Sequence, residues 1–587
     1  MISNRAIAAY FEQIADLLEL LGENQFKVRA YTRAAEALTA LAEPAIEVLE
    51  QDPKSIPGVG EALLSKIREI STTGRLEYLE KLRSQVPAAI LALTAAPGIG
   101  PKAAWKLHEA LGIQDVAELA EAARAHRIRA VPGFGAKTEA NIIRAIRAMQ
   151  STGGRHPLYS VIPLAERIVA DLAAAAGVER VSIAGSLRRR RDTVGDIDVV
   201  AAGSDGGSAM KAFASIDVFR EITAMGETKA TGVTEKGISC DLRVVSLEEY
   251  ASALHHLTGS KEHNVRLRGV AGRRGLKINE YGVFRDGVAE RLPVESEEEL
   301  YALLEMDYIP PELREDRGEI EAAASHALPH LIERSSIRGD LHAHTSWSDG
   351  VASISEMAEA ARSMGHEYLA ITDHSHSLGV AHGLAGERLL EQLDEVRRMD
   401  RRAGDRAGQQ GSGGIRVLAG TEVDILKDGG LDFSDEILSQ LDVVIASIHS
   451  GFQQDRDTIT RRIIRAMNNP NVDIIAHPTG RLLGKRPGYD VDMDAIIREA
   501  AATGAALEIN SYPDRLDLSD EHAKAARDAG VMISIDTDSH SPDELRNIEY
   551  GVWVGRRAWL EPRNVLNTLS CPDLLAWLSS HRSTSGQ

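Results

Sequence analysis

The sequence predicts a multidomain chain of the α and α/β classes, with helical segments first, a mixed α/β segment next and a distorted C-terminal (β/α)7 barrel. Three observations predict it. Pro-Gly-x-Gly opens an apolar-periodic helix three times, at 57–60, 97–100 and 132–135. Residues 185–198, read as GSLRRRRDTVGDID, join a Gly-Ser turn, four arginines and two aspartates one residue apart. Beyond residue 336, seven short apolar runs each end in a metal-ligand residue type, with helical stretches between them.

The first segment carries Ile7, Phe11, Ile14, Leu17, Leu18 and Leu21 at helical spacing. The Pro-Gly-x-Gly repeats that follow read as helix-hairpin-helix units. Their glycines, Gly58 and Gly60, Gly98 and Gly100, and Gly133 and Gly135, let the backbone approach a DNA phosphate, which the free N–H groups of the next helix then meet. Lys102 and Lys137 fall near two of those helix starts. Such hairpins grip the phosphate backbone without reading sequence.

In the middle segment, Asp196-Ile-Asp-Val-Val alternates as a strand does, so Asp196 and Asp198 share a face. Two carboxylates there repel unless a hard divalent cation lies between them. A second strand at 238–245 offers Asp241 as a third ligand, and three carboxylates with substrate phosphates make a two-metal phosphoryl-transfer site. Gly185, Ser186 and the arginines suit a triphosphate.

The barrel runs end at His342/His344, Asp373-His374, Glu422, His449, His477, Glu508-Asn510 and Asp538/His540. Strand, ligand, helix, repeated, places these residues on the rim at the C-terminal ends of the strands. Imidazoles and carboxylates converging on one rim bind transition metals. Arg481 and Arg486 lie close enough in sequence to bind phosphate, and the Gly/Gln/Arg-rich stretch 401–414 reads as a flexible surface insertion.

Composition limits the rest. The 587 residues suffice for several domains, and 43% hydrophobic with 26% charged is ordinary for a soluble chain. Met1 to Leu21 lacks the apolar core of a signal peptide, and no apolar run is long enough to span a bilayer. Cys240 and Cys571 give no disulfide framework, which suits a reducing cytosol. The net charge of −20 is unevenly spread: residues 54–147 carry 14 Lys and Arg against 9 Asp and Glu, whereas 335–587 carry 26 against 39. A locally positive DNA-binding surface is compatible with that balance.

GSxRR followed by GDxD, with a later single Asp on a strand, resembles the nucleotidyltransferase palm of family X DNA polymerases. The resemblance implies that Asp196, Asp198 and Asp241 hold Mg²⁺ or Mn²⁺ and that Ser186 and Arg189 contact the triphosphate. The segment around the first hairpin is similar to that family's small N-terminal domain. There Lys66 would form a Schiff base with an abasic sugar, or act as a plain phosphate contact, and Lys27 would support the phosphate. A neighbouring family lysine falls on Ala62 here. Residues 257–282, with TGSKEHN followed by Arg266 and Arg268, resemble the family's thumb, which would place Asn264 against the incoming base and Arg268 on the template. The family's aromatic pair before Thr-Gly-Ser is His256-Leu257 in this chain, so the pocket wall differs.

HxH, SDG, TDHS, GTEVDI, SIHS, AHPTGR and DTDSH in the second half are similar to the polymerase and histidinol phosphatase (PHP) domain. That implies three divalent ions, Mn²⁺ or Zn²⁺, held by His342, His344, Asp349, His374, Glu422, His449, His477, Asp538 and His540.

The expected organisation is a helical, lyase-like DNA-binding domain at 1–85, a fingers-type domain with two hairpins at 86–150, palm at 151–245 and thumb at 246–317. A linker at 318–335, a PHP barrel at 336–578 and a frayed tail at 579–587 complete it. The implied function is short-gap filling in DNA repair on gapped or primed DNA bearing a 5′-phosphate. Deoxynucleoside triphosphates are the substrates and the barrel is a 3′→5′ exonuclease, with incision at abasic sites left open. The expected form is a cytoplasmic, nucleoid-associated monomer. A DNA-tethered phosphatase acting on small phosphomonoesters is the alternative, and a non-catalytic DNA-bridging protein is a third reading.

Overall fold

The computed structural model describes residues 154–288, 290–410 and 414–584, and before them 4–20, 25–39, 59–73, 76–83, 101–136 and single positions around 45, 90 and 138–143. The chain forms two compact units, 1–153 and 154–587.

The first unit is helical among the described residues. Helices Asn4–Leu20, Gln25–Thr39, Glu61–Thr73, Glu77–Arg83, Pro101–Leu111 and Val116–Arg124 surround a core that includes Phe11, Ile14, Leu18, Leu38, Ile67 and Ile70. Tyr31 meets Phe11 edge-on and stacks on Tyr78.

The second unit opens with a five-stranded mixed sheet. Its strands are β1 (Val178–Ile183), β2 (Asp196–Gly203), β3 (Phe219–Met225), β4 (Lys229–Thr234) and β5 (Ser239–Val245), in the order β1-β2-β5-β4-β3. β2 and β5 run parallel and the other pairs antiparallel. Helices Leu158–Ala173 and Gly206–Ser215 cover one face through Ile168, Leu172 and Phe213. Helix Tyr250–Thr258 covers the other, packing Tyr250, Ala253 and Leu254 on Val200 and Ala202.

Helix Lys261–Arg273 follows, capped by the Ser260 hydroxyl, which accepts from His263 N. A three-stranded antiparallel sheet and helix Glu297–Leu303 complete this part. The linker expected at 318–335 contains a helix, Glu319–Ala324. It buries Ile320 and Ala323 in the same core as Leu300 and Tyr301.

The rest is a parallel barrel of β6 (Gly339–Asp340), β7 (Tyr368–Ile371), β8 (Arg416–Asp424), β9 (Val443–Ser447), β10 (Ile474–Ile475), β11 (Ala506–Asn510) and β12 (Ile533–Asp536), paired in chain order. Just past β6 and β12, Ala343 bridges Ser539, and His344 N donates to Ser539 O at 2.8 Å, so the first and last strands meet. Asp340 accepts from Thr537 N and Oγ1, and Asp536 accepts from Leu341 N, which ties the same seam.

Successive residues alternate between two cores. Tyr368, Ala370, Val443 and Ile445 fill the interior, while Leu369, Ile371, Val444 and Ala446 pack outward. Because both faces are buried, β9 reads as a continuous apolar run from Val443 to Ala446, as parallel strands do. Helix Cys571–Thr584 places Leu574 and Leu578 against the interior core.

Two sequence expectations change. The stretch 401–414 is helical as far as Gln410, the end of helix Gly386–Gln410, because a helix already begun extends at one hydrogen bond per residue. The tail is anchored as far as Thr584: Arg582 pairs with the buried Asp473 at 2.6 Å and donates to Leu441 O and Asp442 O. Among the described residues, no helix is long and apolar enough to cross a membrane.

Candidate active sites

In the sheet, Asp198 on β2 stands beside Asp241 on β5 in parallel register, and Asp196 lies two residues back on the face of Asp198. Burial raises the Asp198 carboxyl to about 7, helped by the charges of Asp196 and Asp241. Three carboxylates with that little compensation suit divalent cations. Asp241 is meanwhile held by Thr231 Oγ1 at 2.6 Å and Lys229 Nζ at 2.6 Å. Gly185 caps the site. Its φ is +63°, and a Cβ there would lie 2.0 Å from Asp198 Oδ2, so only glycine fits.

The arginines that follow are each held by a neighbouring element. Arg188 forks onto Glu297 at 2.6 and 3.0 Å, and Arg189 donates to Thr258 O at 2.7 Å and Glu315 at 2.9 Å. Arg190 lies over the Trp553 ring and Arg191 is 3.6 Å from Glu315. The Arg189 guanidinium, expected to contact the triphosphate, is held here by Glu315 and the Thr258 carbonyl. Asn264, expected to face the incoming base, donates to His256 O at 2.7 Å and Gly259 O at 3.2 Å. Arg268 is exposed and donates to Asn264 O.

In the helical unit, Lys66 Nζ is 4.9 Å and Lys27 Nζ 5.7 Å from the centre of the Tyr78 ring. The structure thus brings both predicted lysines to one aromatic surface, and sequence reasoning missed Tyr78. Lys66 also donates to Ala62 O. Gly60 is exposed at the start of its helix, where its carbonyl accepts from Leu63 and Leu64 N. Gly133 has φ +92° and Gly135 O accepts from Glu139 N. Gly58, Gly98 and Gly100 lie outside the described residues.

All nine predicted barrel ligands converge. Three donor groups form: His344, Asp349, His374 and His540; His342, His344 and Asp538; and His374, Glu422 and His449. His477 joins through Glu422, its Nε2 lying 2.9 Å from Oε1. Glu422 sits at the centre, with nitrogens of His342, His374 and His449 at 3.4, 2.8 and 3.4 Å. Burial alone would raise its carboxyl, but the imidazoles of His449, His374 and His342 outweigh burial and hold it well below the usual range. Burial, then His374 and His540, pushes His344 down to about 3.

His342 Nε2, His374 Nδ1 and Glu422 Oε2 are buried without hydrogen bonds among the described residues, as donors awaiting divalent cations would be. His477 and Asp538 reach the centre from left-handed backbone, at φ +30° and +52°.

A second layer, which the sequence did not separate from the ligands, aims them. Glu508 accepts from His342 Nδ1 at 2.7 Å and from His477 N at 2.7 Å, and Asp424 accepts from His449 Nδ1 at 2.8 Å. Asn510 donates to Asp538, and Asp373 is enclosed by Thr345, Ser348 and Gln392.

Neither Arg481 nor Arg486 lies against the ligands. Arg481 pairs with Asp192 at 2.7 Å and donates to Arg515 O, and Arg486 lies over Phe452. The arginine beside the centre is Arg515, with Nε 3.4 Å from Asp538 Oδ2, and nothing in its local sequence marked it.

Known proteins share this assembly. Residues 2–76 match a helix-hairpin-helix domain, 90–148 a SAM-like helix-hairpin-helix tandem, 253–315 the DNA polymerase beta thumb and 340–512 the PHP domain. The chain belongs to the family X DNA polymerases that carry a C-terminal PHP domain. It is 40% identical over 574 residues to the DNA polymerase/3′-5′ exonuclease PolX of Bacillus subtilis, covering 97% of this chain and 98% of that one. A protein of Thermoanaerobacter sp. named a probable phosphatase is 31% identical over 241 residues, covering 39% of this chain and 89% of its own. A crystal structure of Leishmania infantum polymerase beta in a ternary P/T complex aligns with 39% of this chain and all of that one, at 23% identity and a TM-score of 0.27.

Proposed function

We propose that this chain is a DNA polymerase that fills short gaps during repair and trims 3′ ends with its barrel. One observation carries the reading: a carboxylate trio beside Gly185 and a convergence of nine metal-ligand residue types lie in the same compact unit. At the sheet, Asp196, Asp198 and Asp241 would hold two Mg²⁺ or Mn²⁺, which supply charge stabilisation for nucleotidyl transfer. Gly185 lets the backbone pass close to Asp198, and Ser186 beside it would offer a hydroxyl to the triphosphate. Lys229 keeps Asp241 neutralised until then.

At the barrel, the nine ligands would hold three divalent ions, Mn²⁺ or Zn²⁺, which supply a water of lowered pKa for attack on a phosphodiester. Glu508 and Asp424 keep His342 and His449 aimed inward through their second nitrogens. Arg515 is placed to meet the phosphodiester oxygens opposite Asp538.

Lys27 and Lys66, side by side on Tyr78, suit a downstream 5′-phosphate. In that position Lys66 is the candidate lyase nucleophile for 5′-deoxyribose phosphate. Arg268, exposed on its helix, is the candidate template contact.

The test is primer extension on a gapped duplex, with and without a downstream 5′-phosphate, in Mg²⁺ or Mn²⁺, scoring lengthened and shortened primer together. Likeness to the named phosphatase over the barrel gives the second reading an observation of its own. Hydrolysis of a small phosphomonoester at a rate exceeding that of a 3′-tailed oligonucleotide would favour it and end the exonuclease reading.

A further inference from the structure

Helix Ile548–Arg557 follows the last barrel strand and has two working faces. One is bound to the barrel: Ile548 and Val552 sit in its outer core, and a Cβ on Gly551 would lie 2.0 Å from Ser511 Oγ. The other carries Tyr550, Trp553 and Arg557 at the spacing of one helical stripe. Tyr550 and Trp553 pack against the hydrophobic core of the five-stranded sheet.

Trp553 stacks under the Arg190 guanidinium, 4.2 Å from the ring centre. Arg557, only 2% exposed, donates through Nη1 to the Arg189 carbonyl at 3.1 Å and to Glu315 at 3.2 Å. Its Nη2 donates to Asp520 of the barrel at 2.6 Å, which Arg317 also reaches at 2.6 Å. One residue past the arginine run, Asp192 is held by Arg481 of the barrel.

Every residue from Arg188 to Asp192 is thus tied to a neighbouring element, and three of those ties come from the barrel. The loop that begins at Gly185 against Asp198 is suspended from these contacts. A buried guanidinium that donates to a backbone carbonyl fixes the chain itself, because the backbone cannot rotate away as a side chain can.

We propose that the barrel is a positioning element for nucleotide addition: helix Ile548–Arg557 holds the 185–192 loop in register with Asp198 through Trp553 and Arg557. This rests on the reading that the loop receives the triphosphate. Arg557 and Trp553 touch neither the carboxylate trio nor the metal-ligand residues, so they act only through the loop.

The test uses the full chain and measures KM for the incoming nucleotide, kcat for primer extension, and 3′-end trimming in the same preparation. Because the loop would grip the triphosphate in ground state and transition state alike, its displacement should appear chiefly in KM. For Arg557→Ala a rise in KM of about 10-fold or more is expected, a displacement of about 1 Å being able to cost on the order of 100-fold. Trimming should stay near wild type, and Arg557→Lys should recover part of the loss. Trp553→Ala should raise KM in the same direction by a smaller factor.

Arg557→Ala leaves Glu315 and Asp520 short of a partner, and if it fails to fold, Trp553→Ala decides the question. Wild-type KM in Trp553→Ala, or in a folded Arg557→Ala, overturns the inference. Absence of any extension by the wild-type chain would instead overturn the polymerase reading on which it rests.

Discussion

Replacing Asp198 by Asn should disable the sheet site and at the same time stabilise the metal-free protein. Asp198 is mostly buried among carboxylates, and its carboxyl is raised from 3.8 to about 7, by burial first and by Asp196 and Asp241 second. A folded-state value above the unfolded one means that ionisation is costlier in the folded chain. Stability is therefore lost as pH climbs through the window from about 4 to about 7 and stays lost above it. Each pH unit in that window corresponds to at most about 1.4 kcal/mol, giving a ceiling of about 4 kcal/mol for the whole shift, and relaxation around Lys229 lowers it.

Asn has the same shape and no charge, so the variant escapes this penalty. In chelator at pH 8 it should melt roughly 3 °C above the wild type, a small shift because the cooperative unit is large. At pH 5 most of the gap should vanish. Added Mg²⁺ or Mn²⁺ should stabilise the wild type and not the variant, and nucleotide addition by the variant should be lost while DNA binding persists. Thermal melts across pH with and without chelator measure this. A variant no more stable than wild type at pH 8, or a gap independent of pH, would refute the account of a buried Asp198 carboxyl penalised by burial and by Asp196 and Asp241.

Replacing His342 and His344 together by Ala should strip metal from the barrel and stop 3′-end shortening, so that net extension by the intact sheet site rises; elemental analysis beside a primer assay checks both parts. Loss of extension as well would show that the barrel must be metal-loaded to support the sheet. Arg582→Ala should destabilise the barrel by about 3 kcal/mol by leaving Asp473 buried without its partner, and Asp473→Asn should restore part of it in denaturant melts. Ending the chain at 578 should do the same damage. Replacing Lys27 and Lys66 by Ala should erase any preference for a downstream 5′-phosphate in gap binding, read from titrations on the two gapped duplexes.

The sequence by itself determined which residues could do chemistry, because those signals are local. His342 and His344, or Asp196 and Asp198, are separated by one residue on a strand, so their side chains share a direction before any tertiary contact exists. The seven strands were legible as short apolar runs, as was the rim to which the ligands belong. The helical linker, the anchored tail and the reach of helix Gly386–Gln410 were less so, because burial against distant elements decides whether such stretches are ordered.

The tertiary structure alone decided where the charges go. The four arginines after Ser186 read only as a run of positive charge suited to a triphosphate, and the fold is what pairs Arg189 with Glu315 and brings Arg557 to the Arg189 carbonyl across 368 positions of chain. Whether Glu508 is a ligand or holds one, and whether Arg481 or Arg515 stands beside the metal-ligand residues, likewise turn on how loops from different strands fold over one rim. A long cationic side chain reaches several angstroms in any direction and can satisfy many acceptors. Its partner is therefore set by packing, whereas a short histidine or aspartate at a strand end is committed by the backbone that carries it.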